Sequence, residues 1–134
     1  MKYYLGGTRK GYWRESLVPF LTSENEYIWP EDKYDLASLK EYDAYIFWFT
    51  PKQKDLYQTS EVFYALFWNH PKVFFGFDDF PGEGEFLKKD REALEKVGAM
   101  IADLGGTWVP DLQTLGEVIN KGLWSSVGEV EIEA

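Results

Sequence analysis

The chain contains no cysteine, which excludes a disulfide framework, a thiolate zinc site and a cysteine nucleophile at once. Its single histidine, His70, excludes a histidine-rich metal site. Basic residues are also scarce, 14 against 23 acids, for a formal charge of −9. Nucleic acid or an anionic membrane as the main partner would require a basic face, so neither is expected. A small anionic ligand needs only a few converging cations and stays open. No segment approaches the ~18 continuous apolar residues needed to span a bilayer, and the first residues lack the long apolar run of a signal peptide. The expectation is a soluble, cytoplasmic protein. Long linkers, internal repeats and low-complexity blocks are missing too, so residues 1–134 are read as one domain.

What is plentiful is aromatic. Ten Phe, nine Tyr and six Trp in a chain that is 45% hydrophobic exclude a disordered polymer and suffice for a substantial core. Lys2 to Leu5 reads as a short strand running into a turn at Gly6-Gly7-Thr8. Trp13, Leu17, Phe20 and Leu21 form one stripe of an amphipathic helix that Pro19 kinks or shortens. Tyr27-Ile28-Trp29, stopped by Pro30, predicts a short edge strand, and Asp35 to Tyr42 a helical turn or two. Ala44 to Phe49 is a continuous apolar run of strand length, the pattern of a strand buried on both faces. A polar loop then leads to a helix from about Thr59 to Asn69, ended by His70-Pro71, with His70 read as a C-terminal cap. Val73 to Phe77 is a second buried strand. A long amphipathic helix bearing Leu87, Leu94, Val97 and Ile101 follows and stops at Gly105-Gly106; Thr107 to Val109 is a fifth strand, and Leu112 to Leu123 a last helix. The tail Gly128 to Ala134 alternates Val130 and Ile132 with glutamates, as a disordered acidic end or a strand that pairs only in an oligomer.

Alternating strands and helices with buried-type strands predict an α/β fold, a mainly parallel sheet with helices on both faces. Ligands in such folds bind beyond the carboxyl ends of the strands, here the loops Gly6 to Gly11, Thr50 to Ser60 and Asp78 to Glu85. The focus is Glu61, a lone acid entering an almost wholly apolar helix. Read in the first turn, it lies near unpaired backbone N–H groups and the positive end of the macrodipole, which allows it to stay ionised in an apolar site. First-turn acids are also ordinary helix furniture, and Asp55 by itself is an ordinary loop charge. Arg9 and Arg14 meet a substrate phosphate or serve as surface charges. Asp78 and Asp79 are poor grounds for a metal site.

Tyr4-Leu5-Gly6-Gly7-Thr8 with Trp13-Arg14, then Asp43 opening a buried strand, then Asp55 six positions before Glu61, resembles the nucleoside 2-deoxyribosyltransferase-like family. The spacings of eight residues from Asp35 to Asp43 and twelve from Asp43 to Asp55 match as well, and the resemblance covers roughly Tyr3 to Phe77. It implies a flavodoxin-like three-layer sandwich with a five-stranded sheet, assembled as a homo-oligomer whose neighbouring subunit completes the site, with no metal or organic cofactor. It further implies Glu61 as the nucleophile on the anomeric carbon of a nucleoside and Asp55 as the acid that manages protons on, or holds, base and sugar. Asp35 falls on the nucleobase side, where it otherwise simply caps a short helix. Tyr4 matches a tyrosine beside the nucleophile. Gly6, Gly7 and Thr8 join the substrate contacts, as does Arg14 if the ligand carries a phosphate. The chain departs from the family at Tyr57-Gln58-Thr59-Ser60, where the transferases often have a glycine-rich approach to the glutamate.

The chemistry stands on its own terms. Cleavage of an N-glycosidic bond passes through an oxocarbenium-like state that one carboxylate traps while a second acid protonates the leaving base. Aromatic walls suit a flat base. The expected function is therefore transfer or hydrolysis of a nucleoside, deoxynucleoside or nucleotide. The alternatives are a non-catalytic module that senses a nucleotide with the same pocket, and an interaction protein using Trp29, Trp108 and Trp124.

Overall fold

The computed structural model describes residues 2–8, 12–20, 26–28, 42–52, 57–69, 72–79 and 82–121. In chain order these form β1 (Lys2–Gly7), α1 (Trp13–Leu17) with a 3-10 turn over Val18–Phe20, β2 (Glu26–Ile28) and β3 (Ala44–Phe49). They continue with α2 (Tyr57–Asn69), β4 (Val73–Phe77), α3 (Lys88–Asp103), β5 (Thr107–Trp108) and α4 (Leu112–Lys121). The five strands make one sheet in the order β2-β1-β3-β4-β5, and every neighbouring pair is parallel.

Every residue of β3 and β4 is buried, because side chains alternate between two covered faces. Ala44, Ile46, Trp48 and Phe74 point to one side, where Trp13 and Leu17 of α1 and Leu115 and Ile119 of α4 pack on them. Tyr45, Phe47, Phe49, Val73, Phe75 and Phe77 point to the other, against Val62, Ala65 and Leu66 of α2 and Ile101 of α3. The result is the three-layer sandwich expected from the sequence. A fully buried ring such as Phe47 contributes enough that truncation to Ala costs about 3–5 kcal/mol.

Boundaries differ from the sequence reading in instructive ways. β1 does not stop at Leu5 but runs through Gly6 and Gly7, pairing Gly6 with Phe47 and Gly7 with Trp48. Gly7 has φ of 93°, and a Cβ there would lie 2.1 Å from the Trp48 carbonyl oxygen. The glycine thus permits a strand end pressed against β3 rather than a turn. Pro19 shortens α1, which gives way to the 3-10 turn after Leu17. α2 begins at Tyr57 instead of Thr59 and takes in Gln58, which is buried. α3 closes as anticipated at Gly105: its N–H bonds the Ala102 carbonyl and that of Gly106 the Ile101 carbonyl, a Schellman arrangement. β5 is one residue shorter than predicted, although the Val109 N–H still donates to Phe75 at 2.9 Å. Among the described residues no helix is long and apolar enough to cross a membrane. The expected turns over 35–41, the cap at His70, and Trp29, Trp124 and the 128–134 tail lie outside the described residues.

Candidate functional site

Glu61 is buried at 3% exposure on the side of α2 that faces the sheet. Its carboxylate Oε2 accepts a 2.6 Å hydrogen bond from the phenol of Tyr4, which reaches across from β1. No acid lies in the first turn of α2; with the helix starting at Tyr57, Glu61 is in the second turn. This corrects the expectation that unpaired N–H groups at the helix start hold it, since those effects fade beyond the first turn. A side-chain donor, Tyr4, takes that part. An aromatic wall surrounds the pair: Tyr42 meets the Tyr4 ring edge-on at 5.2 Å, with Phe47 at 5.9 Å and Tyr45 at 6.1 Å. Burial pushes the Tyr45 phenol above its ordinary value of 10.0.

Gly6 sits two residues past Tyr4 on the same face of the strand. A Cβ there would come within 2.6 Å of the Phe47 ring and 2.8 Å of the Tyr4 ring. The missing side chain is what lets Tyr4 lie flat over its own strand with its hydroxyl at Glu61. Thr8 is buried and tied on every side: its N–H donates to the Trp48 carbonyl, its hydroxyl oxygen accepts from the Thr50 N–H, and its carbonyl accepts from Trp13 Nε1. Arg14 is buried, not a surface charge. Its Nε donates to the Leu5 carbonyl at 3.0 Å and its Nη1 to the Thr8 carbonyl at 2.8 Å, with the guanidinium over the Trp13 ring. It braces the end of β1 from the α1 side.

A group that sequence reading passed over is Glu83. It is 8% exposed, in the loop after β4. Oε1 accepts from the Thr50 hydroxyl at 2.7 Å and Oε2 from the Tyr12 N–H at 3.0 Å, at the entrance to α1. One carboxylate therefore ties the end of β3 to the start of α1. The signal was present in the sequence as an acid between two glycines, Gly82 and Gly84, both of which have positive φ.

Since β1 leads outward to β2 on one side while β3 lies on the other, the chain reverses direction between β1 and β3. A crevice at such a reversal is where open parallel sheets bind ligands. Among solved structures, the flavodoxin-like domain of a Synechococcus protein superposes with a TM-score of 0.51 at 16% identity, covering 94% of this chain and 99% of that one. The fold is flavodoxin-like. At that identity the likeness concerns the backbone arrangement alone. No family model matches the chain, and no curated protein matches it.

Within this flavodoxin-like frame, Tyr4 and Glu61 meet on the α2 face, while Thr8, Thr50, Glu83 and Tyr12 knit the reversal itself. Asp55, Asp35 and Arg9 lie outside the described residues. Asp79 is engaged locally: its Oδ1 accepts from the Phe86 N–H and pairs with Arg91, both at 2.8 Å. Among the described residues no three His, Cys, Asp or Glu side chains cluster as metal ligands do.

Proposed function

We propose that the chain is a cytoplasmic, homo-oligomeric enzyme of the nucleoside 2-deoxyribosyltransferase-like kind, acting on the N-glycosidic bond of a nucleoside or nucleotide. The observation that carries this reading is the buried Tyr4–Glu61 pair, joined at 2.6 Å. A carboxylate held by a phenol in an aromatic, water-poor setting is a nucleophile kept in one orientation. A Glu61 oxygen attacks the anomeric carbon and the bond to the base nitrogen breaks, its electron pair leaving with the base. The second acid, which the family resemblance puts at Asp55, supplies the proton. Water or a second base then attacks the same carbon, giving up its proton to the second acid, which is thereby restored, and the ester bond breaks to return Glu61 as a carboxylate. Carboxylates provide both nucleophile and acid, so the cycle calls for no metal or organic cofactor.

The aromatic wall of Tyr42, Tyr45 and Phe47 beside Tyr4 supports a flat, apolar-faced substrate component. The test is incubation with a panel of deoxynucleosides and their 5′-phosphates, with and without an acceptor base, followed by chromatography. Base release or exchange by the wild type and its loss in Glu61→Ala support the reading. Thermal stabilisation by the same compounds, without turnover, assigns the chain to binding alone.

A further inference from the structure

A clasp between the end of β3 and the start of α1 needs only a neutral acceptor, yet the chain buries a carboxylate there, Glu83. Burying a charge is costly unless donors or cations surround it. Here they do. The Tyr12 N–H and the Thr50 hydroxyl donate to its two oxygens. The Thr50 N–H donates in turn to the Thr8 hydroxyl, and the Thr8 carbonyl accepts from Arg14, a buried guanidinium in the same hydrogen-bonded cluster. The Lys52 ammonium lies 5.9 Å over the Tyr12 ring. Two residues before Thr50, the indole N–H of buried Trp48 has no acceptor among the described residues. Backbone N–H groups, hydroxyls and cations gathered in this way are the groups that hold a bound anion.

The chain supplies that anion itself. Glu83 arrives from the loop after β4, between Gly82 with φ of 82° and Gly84 with φ of 92°. A Cβ on either glycine would meet nothing within 4 Å, so close packing requires neither. What they permit is left-handed backbone on both sides of the acid. The loop takes this path to set one carboxylate at the β1–β3 reversal, the place where an open parallel sheet receives its ligand. Both of its oxygens are then spent on donors that a ligand's anionic group would otherwise use.

We propose that Glu83 is a built-in substitute for a ligand's anionic group: it fills the anion position at the ends of β1 and β3 and restricts the crevice to ligands that carry no phosphate there. A phosphate has either to displace a carboxylate held by two hydrogen bonds or to lie beside a like charge, and such a contact weakens binding about 100-fold or more. For the proposed reaction, and resting on that reading, Glu83 selects a nucleoside over its 5′-phosphate.

The full chain is titrated with sodium phosphate and, separately, sodium acetate, against sodium chloride of equal ionic strength, reading Tm and amide exchange at Tyr12. The wild type is expected to show no saturable response. Glu83→Ala opens the position, so either anion at millimolar concentration raises its Tm saturably by a few degrees and slows Tyr12 exchange. Glu83→Ser, a second opening variant that keeps a short acceptor, responds in the same way, while Glu83→Gln, neutral but still filling the space, behaves as the wild type. Saturable stabilisation of the wild type by phosphate, or opened variants that answer both anions no more than chloride, overturns the proposal. Turnover gives a second arm: wild-type kcat/KM for deoxyadenosine exceeds that for its 5′-phosphate about 100-fold or more, and the ratio falls about tenfold or more in Glu83→Ser. Equal use of both compounds by the wild type overturns the exclusion. Base release from neither, with the anion responses as expected, counts against glycosyl transfer and supports the role of Glu83.

Discussion

The bond between Tyr4 and Glu61 places a carboxylate deep in an aromatic layer with a phenol as donor. Tyr4→Phe keeps the ring packing and removes only that donor. Leaving a buried acceptor short of a partner costs about 1–3 kcal/mol, and urea unfolding should show a loss in that range. Tyr45 tests the same layer through pH. Its folded value is raised above 10.0 by burial, so its contribution is complete below the unfolded value and is lost as pH climbs through the folded one. Stability should be insensitive to this group through neutrality and fall in alkali, and Tyr45→Phe should lessen that fall. Among residues, Glu61 was legible because a lone acid entering an apolar helix is conspicuous. Arg14 was not: nothing in Trp13-Arg14 reveals that the start of α1 lies over the end of β1, where the guanidinium meets the Leu5 and Thr8 carbonyls.

At the level of elements, continuous apolar runs announced β3 and β4 correctly, since a strand covered on both faces has no polar period to obscure it. β1 was read too short because Gly6-Gly7 is also the signature of a turn. The reason both glycines belong to the strand, the Phe47 and Tyr4 rings and the Trp48 backbone filling the space of a side chain, exists only once β1 and β3 pair. The loop after β4 was legible as a loop but not as a clasp, because the partners of Glu83 are 33 and 71 residues away. Glu83→Ala leaves the Tyr12 N–H and the Thr50 hydroxyl without their acceptor. The expected cost is about 2–3 kcal/mol, with faster hydrogen exchange at Tyr12 and no change at Val62 in the middle of α2. Glu83→Gln, which keeps an acceptor oxygen, should cost less.

For the whole molecule, the alternation of strands and helices leads to a parallel sheet with helices on both faces, as found in the order β2-β1-β3-β4-β5. Strand order itself was not read from the sequence, because periodicity says which faces are buried and not which strands are neighbours. The exposed apolar side of α2 escaped notice for a related reason. Phe63, Phe67 and Trp68 look like core residues in sequence, and only packing separates Leu66, at 4% exposure, from Phe67, at 79%.

The covalent step at Glu61 is the central claim, and it is open to direct observation. The wild-type chain is mixed with deoxynucleosides, quenched in acid within the first turnover, and measured by intact mass and then by peptide mapping. The expected result is a fraction carrying the mass of one deoxyribosyl group, located on Glu61, absent from Glu61→Gln, and discharged by water or an added base. Base released by the wild type with no adduct at Glu61, or turnover retained by Glu61→Gln, would contradict it.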